Sequence, residues 1–178
     1  MTFTIRATND SDSAAISDVH TNAFSSEEQD VVAALAIELV RVRARPPVLS
    51  WVAEFEGEVL GHIVFSPVFC DALETWTGYI LSPLGVREGR QGAGVGSSLV
   101  RYGLDQLTQM GADAVFVYGD PNYYERFGFS VQTAESFLPP YSLEHPTGWQ
   151  ATSLNDREAF PGPTTLSCVP PLMNAALW

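Results

Sequence analysis

The stretch from Gly78 to Gly111, GYILSPLGVREGRQGAGVGSSLVRYGLDQLTQMG, constrains this chain more than any other. Strand-suited residues run into a turn made of Gln91, Gly92, Ala93, Gly94, Val95 and Gly96, and a helical pattern follows. Glycines this dense suit a backbone that must come close to something else. A helix that starts here has unpaired N–H groups and a partial positive charge at that end. Loop and helix together are therefore a ready seat for a phosphate or pyrophosphate. Two familiar phosphate loops do not fit. A Walker loop ends in Gly-Lys-Ser/Thr, and this loop has no lysine. A dinucleotide fingerprint would place a third glycine where this chain has Ser97. What remains is Gln91-x-x-Gly94-x-Gly96, straight after a strand ending Leu84-Gly85-Val86.

Nine basic against 21 acidic residues give a formal charge of −12. That argues against nucleic acid as a partner, which would call for a basic patch. It suits solubility and the attraction of a cationic amine. Arg87, Arg90 and Arg101 nevertheless flank the glycine loop, where an anionic cofactor would sit. A length of 178 residues with 46% hydrophobic content fits one globular domain, residues 1–178, with a single sizeable core. MTFTIRATND has no apolar run of signal-peptide length, and no stretch approaches a bilayer span, so no membrane partner is expected. Cys70 and Cys168 are too few for a disulfide framework, which makes a reduced cytoplasmic setting the expectation. No Cys/His spacing predicts a metal site.

Thr2 to Ala7 alternates as a half-buried strand does. Asn9 to Ser13 is dense in N-cap residues and opens a helix with Ile16, Val19 and Ala23 on one face. Glu27 to Arg45 reads as a second helix, with Val31, Val32, Leu35, Ala36, Leu39 and Val40 at helical spacing and Pro46-Pro47 as its stop. Val48–Glu56 and Glu58–Asp71 form a hairpin about Gly57. Thr75 to Val86 is the third strand of the meander, and Pro83 predicts a bulge or local parting within it. In the helix after the loop, Leu99, Gly103, Leu107 and Met110 make the buried stripe, and Gly111 suits the C′ position. Ala114–Tyr118 is a covered strand. Asp120 and Pro121 open a short helix as N-cap and first residue, and Phe127-Gly128-Phe129 leads into another strand. Beyond Val131 prolines break the pattern, and Thr164–Val169 is a candidate last strand.

The loop motif resembles the acyl-CoA-binding signature of the GNAT superfamily of N-acetyltransferases, Gln/Arg-x-x-Gly-x-Gly/Ala. A second run, Tyr123-Tyr124-Glu125-Arg126-Phe127-Gly128-Phe129, is similar to that family's Phe/Tyr-Tyr-x-x-x-Gly-Phe segment. VYGDPNYYERFGF, with GHIVFSP at 61–67 and LSPLGV at 81–86, looks most like the YhbS-like branch of predicted bacterial acetyltransferases. By order of elements the resemblance covers about residues 3–135. It implies an α/β (α+β) GNAT fold: a mixed, mostly antiparallel central sheet with helices on both faces and a splayed strand pair for CoA. Residues 136–178 would complete the sheet and the acceptor side. It implies acetyl-CoA as cosubstrate and no metal. Leu84, Gly85 and Val86 would hold the pantetheine amides and thioester oxygen, and Gln91, Gly92, Ala93, Gly94, Val95, Gly96 and Ser97 the pyrophosphate. Tyr124 would protonate the leaving thiolate. A phenol of pKa about 10 is neutral at pH 7 and has the proton to give.

The expected activity is direct acetyl transfer to a primary amine, of a small molecule or a protein, in a ternary complex. The competing expectation is a CoA-binding sensor without turnover. Both homodimer and monomer stay open. Among candidate bases, Glu54, Glu56, Glu74 and Asp120 qualify by type alone. His62 reads as a satisfied core histidine, while His20 and His145 have no context. Cys70, Cys168 and Tyr123 read as packing residues. Trp149, Phe160 and Trp178 stand between pocket, core and dimer contact.

Overall fold

Alternating side chains in Thr4–Ala7 form the first strand, β1, which lies antiparallel to β2 (Leu49–Phe55). The structure is a computed structural model that describes residues 2–71, 75–155 and 163–178. Glu74, Phe160, Pro161 and Gly162 therefore lie outside the described residues. β2 turns through Glu56-Gly57 into β3 (Glu58–Phe69), the expected hairpin, with Phe55 opposite Glu58 and a register shift at Ala53/Glu54. β4 (Gly78–Val86) completes the meander. β5 (Ala114–Tyr118), β6 (Phe137–Leu138), β7 (Trp149–Ser153), β8 (Thr164–Thr165) and β9 (Ser167–Cys168) follow. In strand order the main sheet reads β1-β2-β3-β4-β5-β7, with β9 on β3, while β6 and β8 pair apart. The β4–β5 and β6–β8 pairs are parallel and the other described registers antiparallel.

Contacts divide the chain into two compact units. The first holds Met1–Arg43, Pro47–Phe65 and Ser82–Gly103. Its α1 (Ser13–Ala23) and α2 (Gln29–Arg41) pack on β2 and β3 through Ile16, Val19, Ala36, Val52 and Val59. The entry to α1 is fixed by Asn9, whose side chain accepts from the Ser11 amide, while Asp12 accepts from the Asn9 amide at 2.8 Å. Arg6 clamps Asp12 through two bonds of 2.7 and 2.8 Å and also holds Glu54. The Arg6 guanidinium keeps the Asp12 carboxyl below the usual carboxylate range. α3 (Val95–Gln109) begins in this unit, on the opposite face of the sheet. Adjacent residues of β3 show this: the Gly61 Cα faces Val95 and Leu99 of α3, whereas His62 reaches α1.

The second unit holds Ala44–Pro46, Ser66–Leu81 and Leu104–Trp178. Here β4 pairs with β5 only from Gly78 to Ile80, and β5 pairs with β7 along its whole length. Trp76 stacks on Phe137 with centroids 5.1 Å apart, and Phe116 stacks on Trp149 at 5.3 Å, forming an aromatic core. Buried Asp113 ties three strands at their ends, accepting from the Thr77 amide at 2.7 Å and from Asn155 at 2.6 Å. The short helices α4 (Pro121–Tyr124) and α5 (Val131–Ala134) belong to this unit.

Several expectations need correction. α2 ends at Arg41, where Val42 turns extended, so Arg43, Arg45 and the prolines lie beyond it. Val31 is exposed, and so is Met110, which follows the last residue of α3. Phe127-Gly128-Phe129 leads not into a strand but into a single antiparallel bridge, Ser130 to Ala151, after which the Ser130 side chain caps α5 by accepting from the Thr133 amide. The neighbour of β5 is β7, which comes later in the chain. The stretch 164–169 holds two short strands, not one. Trp149 is core, and Trp178 packs beside it, donating to the Leu172 carbonyl at 2.9 Å.

Gly103 lies against Phe65, and a Cβ built there overlaps the ring. Gly103→Ala should therefore cost about 1–3 kcal/mol of stability through overpacking, read as a lower denaturant midpoint with an unchanged m-value.

Candidate functional site

The loop predicted to seat a phosphate is open to solvent from Gln91 to Gly94, and α3 starts at Val95. Gly92 has φ +75° and Gly94 φ +82°, backbone states that cost a side-chain-bearing residue about 1–2 kcal/mol. These glycines turn the chain from the exposed loop into the buried start of α3, where Val95 and Gly96 lie. The Ser98 amide is the first to bond within the helix, to the Gly94 carbonyl at 2.9 Å. The amides of Val95, Gly96 and Ser97 precede it and have no partner in the helix. The Gln91 side chain points back and donates to the Val86 carbonyl at 3.3 Å, tying the loop to the end of β4. Leu84, Gly85, Val86 and the run Gln91–Ser97 thus all sit in the first unit, joined by one short connection.

The flanking arginines are not all free for an anion. Arg87 lies 3.4 Å and Arg90 3.7 Å from Glu58 carboxylate oxygens, and Arg87 Nε donates to the Val59 carbonyl. The seat is consequently built from backbone dipoles more than from cations.

Tyr124 lies in the second unit. It ends α4, whose N-cap Asp120 accepts from the Asn122 amide at 3.0 Å, as predicted. The ring rests against Gly119, where a Cβ would stand 2.7 Å from its Cε2, and it packs edge-on to Phe129. Burial, with a smaller contribution from Tyr123, pushes the phenol above its ordinary value. It therefore keeps its proton throughout the neutral range. Tyr123 packs against Tyr124 and Phe127 beneath the Arg126 guanidinium.

A strand ending in a glycine loop that opens a long helix, followed by a capped Tyr-Tyr turn, is an arrangement shared with known proteins. The model of the acetyltransferase (GNAT) family matches residues 14–129. The chain belongs to the GNAT acetyltransferase family. YjhQ of Escherichia coli K12, an uncharacterized N-acetyltransferase, is 38% identical over 157 residues, or 85% of this chain and 84% of its own. The crystal structure of Escherichia coli YhbS in complex with CoA is similar with a TM-score of 0.78 and 29% identity, covering 92% of this chain and 88% of that one. A GNAT acetyltransferase of Brucella melitensis in complex with acetyl-CoA gives 0.69 and 30%, covering 96% and 97%. The mixed sheet with helices is the fold of this family.

Within this GNAT chain the candidate bases separate clearly. Glu54 is held by Arg6, Glu56 sits exposed in the hairpin turn, and Asp120 is a cap. Burial pushes the Cys168 thiol up to about 12, so it is not a thiolate at neutral pH. His145 is exposed, and Cys70 is buried beside the Thr164 hydroxyl. Among the described residues no group of three or more His, Cys, Asp or Glu side chains is placed to hold a metal ion. No described helix is long and apolar enough to cross a membrane.

Sequence reasoning missed a buried pair. His20 Nε2 lies 2.8 Å from His62 Nδ1, and His62 Nε2 lies 2.8 Å from Ser50 Oγ. His20 belongs to the face of α1 that carries Ile16 and Val19, and that polar residue on an apolar stripe was the signal available. Both rings are fully buried. Burial pushes His20 down to about 4, and burial with the neighbouring His20 ring lowers His62 too, against a weaker pull from Asp12.

Both histidines are neutral in the fold, whereas in the unfolded chain they take up protons near pH 6.5. Their burial carries no protonation penalty above that pH and destabilises the fold progressively as pH falls towards 4, where His20 also protonates in the folded state. Denaturant titrations should lose on the order of 3 kcal/mol across this window from His20 alone. His20→Asn should flatten the dependence.

Proposed function

We propose that this protein transfers an acetyl group from acetyl-CoA to a primary amine, by direct attack in a ternary complex. The observation that carries the proposal is the continuous run from Leu84 to Ser97. It offers a strand end, two left-handed glycines and the start of a long helix, whose first N–H groups come before the helix's own hydrogen bonds. Relatives of similar fold hold CoA or acetyl-CoA. Residues 1–178 are taken as one domain of the family, since the family match of 14–129 draws on both units.

In this scheme the backbone of Leu84, Gly85 and Val86 holds the pantetheine amides and polarises the thioester carbonyl. The amides of Gln91 to Gly96, with Ser97 beside them, hold the pyrophosphate, with no reorganisation needed when it arrives. Acetyl-CoA supplies the activated acyl group. The amine nitrogen attacks as a neutral base, the C–S bond breaks, and Tyr124 gives its phenolic proton to the departing thiolate. The acidic surface favours a cationic acceptor.

Purified protein should gain about 2.7 kcal/mol of stability at a hundredfold excess of acetyl-CoA over its Kd. Gly94→Ala should reduce that gain, through the strain of a side chain at positive φ. With a panel of amines, thiol release detected by a disulfide reagent should accompany acetyl-CoA consumption. Tyr124→Phe should slow that release roughly a hundred- to ten-thousand-fold while Kd for CoA stays the same. Affinity for acetyl-CoA without thiol release from any amine would replace the transferase with a CoA-binding sensor.

A further inference from the structure

β5 and β7 run antiparallel up to the pair Tyr118 and Trp149, and the residues that come next are Gly119 and Gly148. A hydrogen-bonded antiparallel pair exchanges two bonds. Here the Gly119 amide donates to the Gly148 carbonyl at 3.0 Å, but the Gly148 amide donates to the His145 carbonyl at 2.9 Å and closes its own turn. The Gly119 carbonyl receives from a side chain instead. Gln150 Nε2 donates to it at 3.2 Å and to the Gly148 carbonyl at 3.3 Å. Gln150 is 1% exposed, between buried Trp149 and Ala151. An apolar side chain would fill such a strand position equally well, so the buried amide is explained by what it holds.

What it holds is the seat of Tyr124. The Gly119 carbonyl belongs to the planar peptide that leads into Asp120. The Asp120 carbonyl in turn accepts from the Tyr123 amide at 3.0 Å and the Tyr124 amide at 3.2 Å. Fixing the direction of the Gly119 carbonyl therefore fixes how α4 begins. The Tyr124 ring also rests on Gly119 itself: a Cβ there would meet Cε2 first and then Cδ2, at 3.3 Å. The opposite glycine is as tightly placed, since a Cβ on Gly148 would stand 2.8 Å from Cε2 of Tyr118 and 3.2 Å from the Gly119 carbonyl oxygen. Tyr123 and Phe129 meet the Tyr124 ring edge-on, with centroids 5.0 and 5.7 Å away. All of these residues lie in the second unit.

We propose that Gln150 is a positioning residue for the reaction: through the Gly119 carbonyl it sets the place and tilt of the Tyr124 phenol, and so how well that group delivers its proton to the departing thiolate. The inference rests on the acetyl transfer proposed above, with Tyr124 as its acid. Gln150 touches neither substrate nor cofactor in this scheme and exchanges no proton. Its effect is geometric, and a misplacement of about 1 Å can cost roughly a hundredfold in rate.

The test measures kcat, KM and Kd for CoA on the intact protein, with acetyl-CoA and an alkylamine, and checks folding by circular dichroism. Gln150→Met keeps the length of the side chain and removes both donors. It should lower kcat about ten- to a hundredfold and leave Kd for CoA unchanged. In the Tyr124→Phe background the same change should cost nothing further, because the two residues act on one step. Gln150→Glu is the rescue. Its protonated carboxyl has one O–H for the Gly119 carbonyl, and its carboxylate has none. The ratio of its kcat to that of wild type at the same pH should rise towards one as pH falls and drop as pH rises, and this dependence too should vanish with Tyr124→Phe. A folded Gln150→Met enzyme with wild-type kcat overturns the assignment and leaves acetyl transfer standing. A loss that multiplies with that of Tyr124→Phe likewise overturns it, reducing Gln150 to a strand residue. If Gln150→Met does not fold, Gln150→Glu decides, and a ratio that ignores pH overturns the assignment. Turnover that Tyr124→Phe leaves untouched overturns the acid role and the positioning role with it. Wild-type protein that binds CoA but releases no thiol with any amine overturns the transferase itself.

Discussion

Two absent side chains set the geometry of the glycine loop and its surroundings. Gly61 on β3 and Gly85 on β4 are near neighbours, and each clears room for a helix. At Gly61 a Cβ would stand 2.9 Å from Val95 and 3.1 Å from Leu99, the first turns of α3. At Gly85 it would press on His20 and Val19 of α1. Close packing leaves no slack in such contacts. The starting point of α3, and so the direction of its unpaired amides, follows from how near Val95 comes to the sheet. The position of His20 follows from how near α1 comes to Gly85.

The electrostatic design is consistent with this. The chain carries a net charge of −12, yet its proposed ligand is anionic. Arg87 and Arg90 are partly engaged by Glu58, so the local field is not that of a bare cationic patch. Fixed amides and the start of a fifteen-residue helix supply the positive end instead. Such dipoles act at short range, so a local anion seat is compatible with a net acidic chain. In the proposed reaction an anionic donor and a cationic acceptor would call for opposite potentials, and the helix start and the net charge of −12 are of opposite sign.

Much of this was legible in the sequence because it is local. The hairpin at Gly57, the covered strand at 114–118, the Asp120 cap and the glycine loop each depend on neighbours within a few residues. What escaped was either a boundary or a long-range partner. The spacing that placed Val31 and Met110 on buried stripes is real, but Val31 stands exposed on α2 and Met110 exposed just past the end of α3. β7 was missed because Gln150 interrupts its apolar run; the side chain is buried because it donates to the Gly119 and Gly148 carbonyls. His20 and His62 satisfy each other across 42 positions of sequence, a partnership no spacing rule reports.

Recognition through main-chain groups has a consequence for how such a protein varies. A main-chain amide survives almost any exchange of the side chain attached to it. A systematic alanine scan of the loop would therefore register the glycines, where the added methyl distorts the path of the chain, and at Gln91 only the loss of its side-chain bond to the Val86 carbonyl. If the loop holds its ligand as proposed, side chains at its solvent-facing positions can be exchanged while the main-chain contacts stay the same.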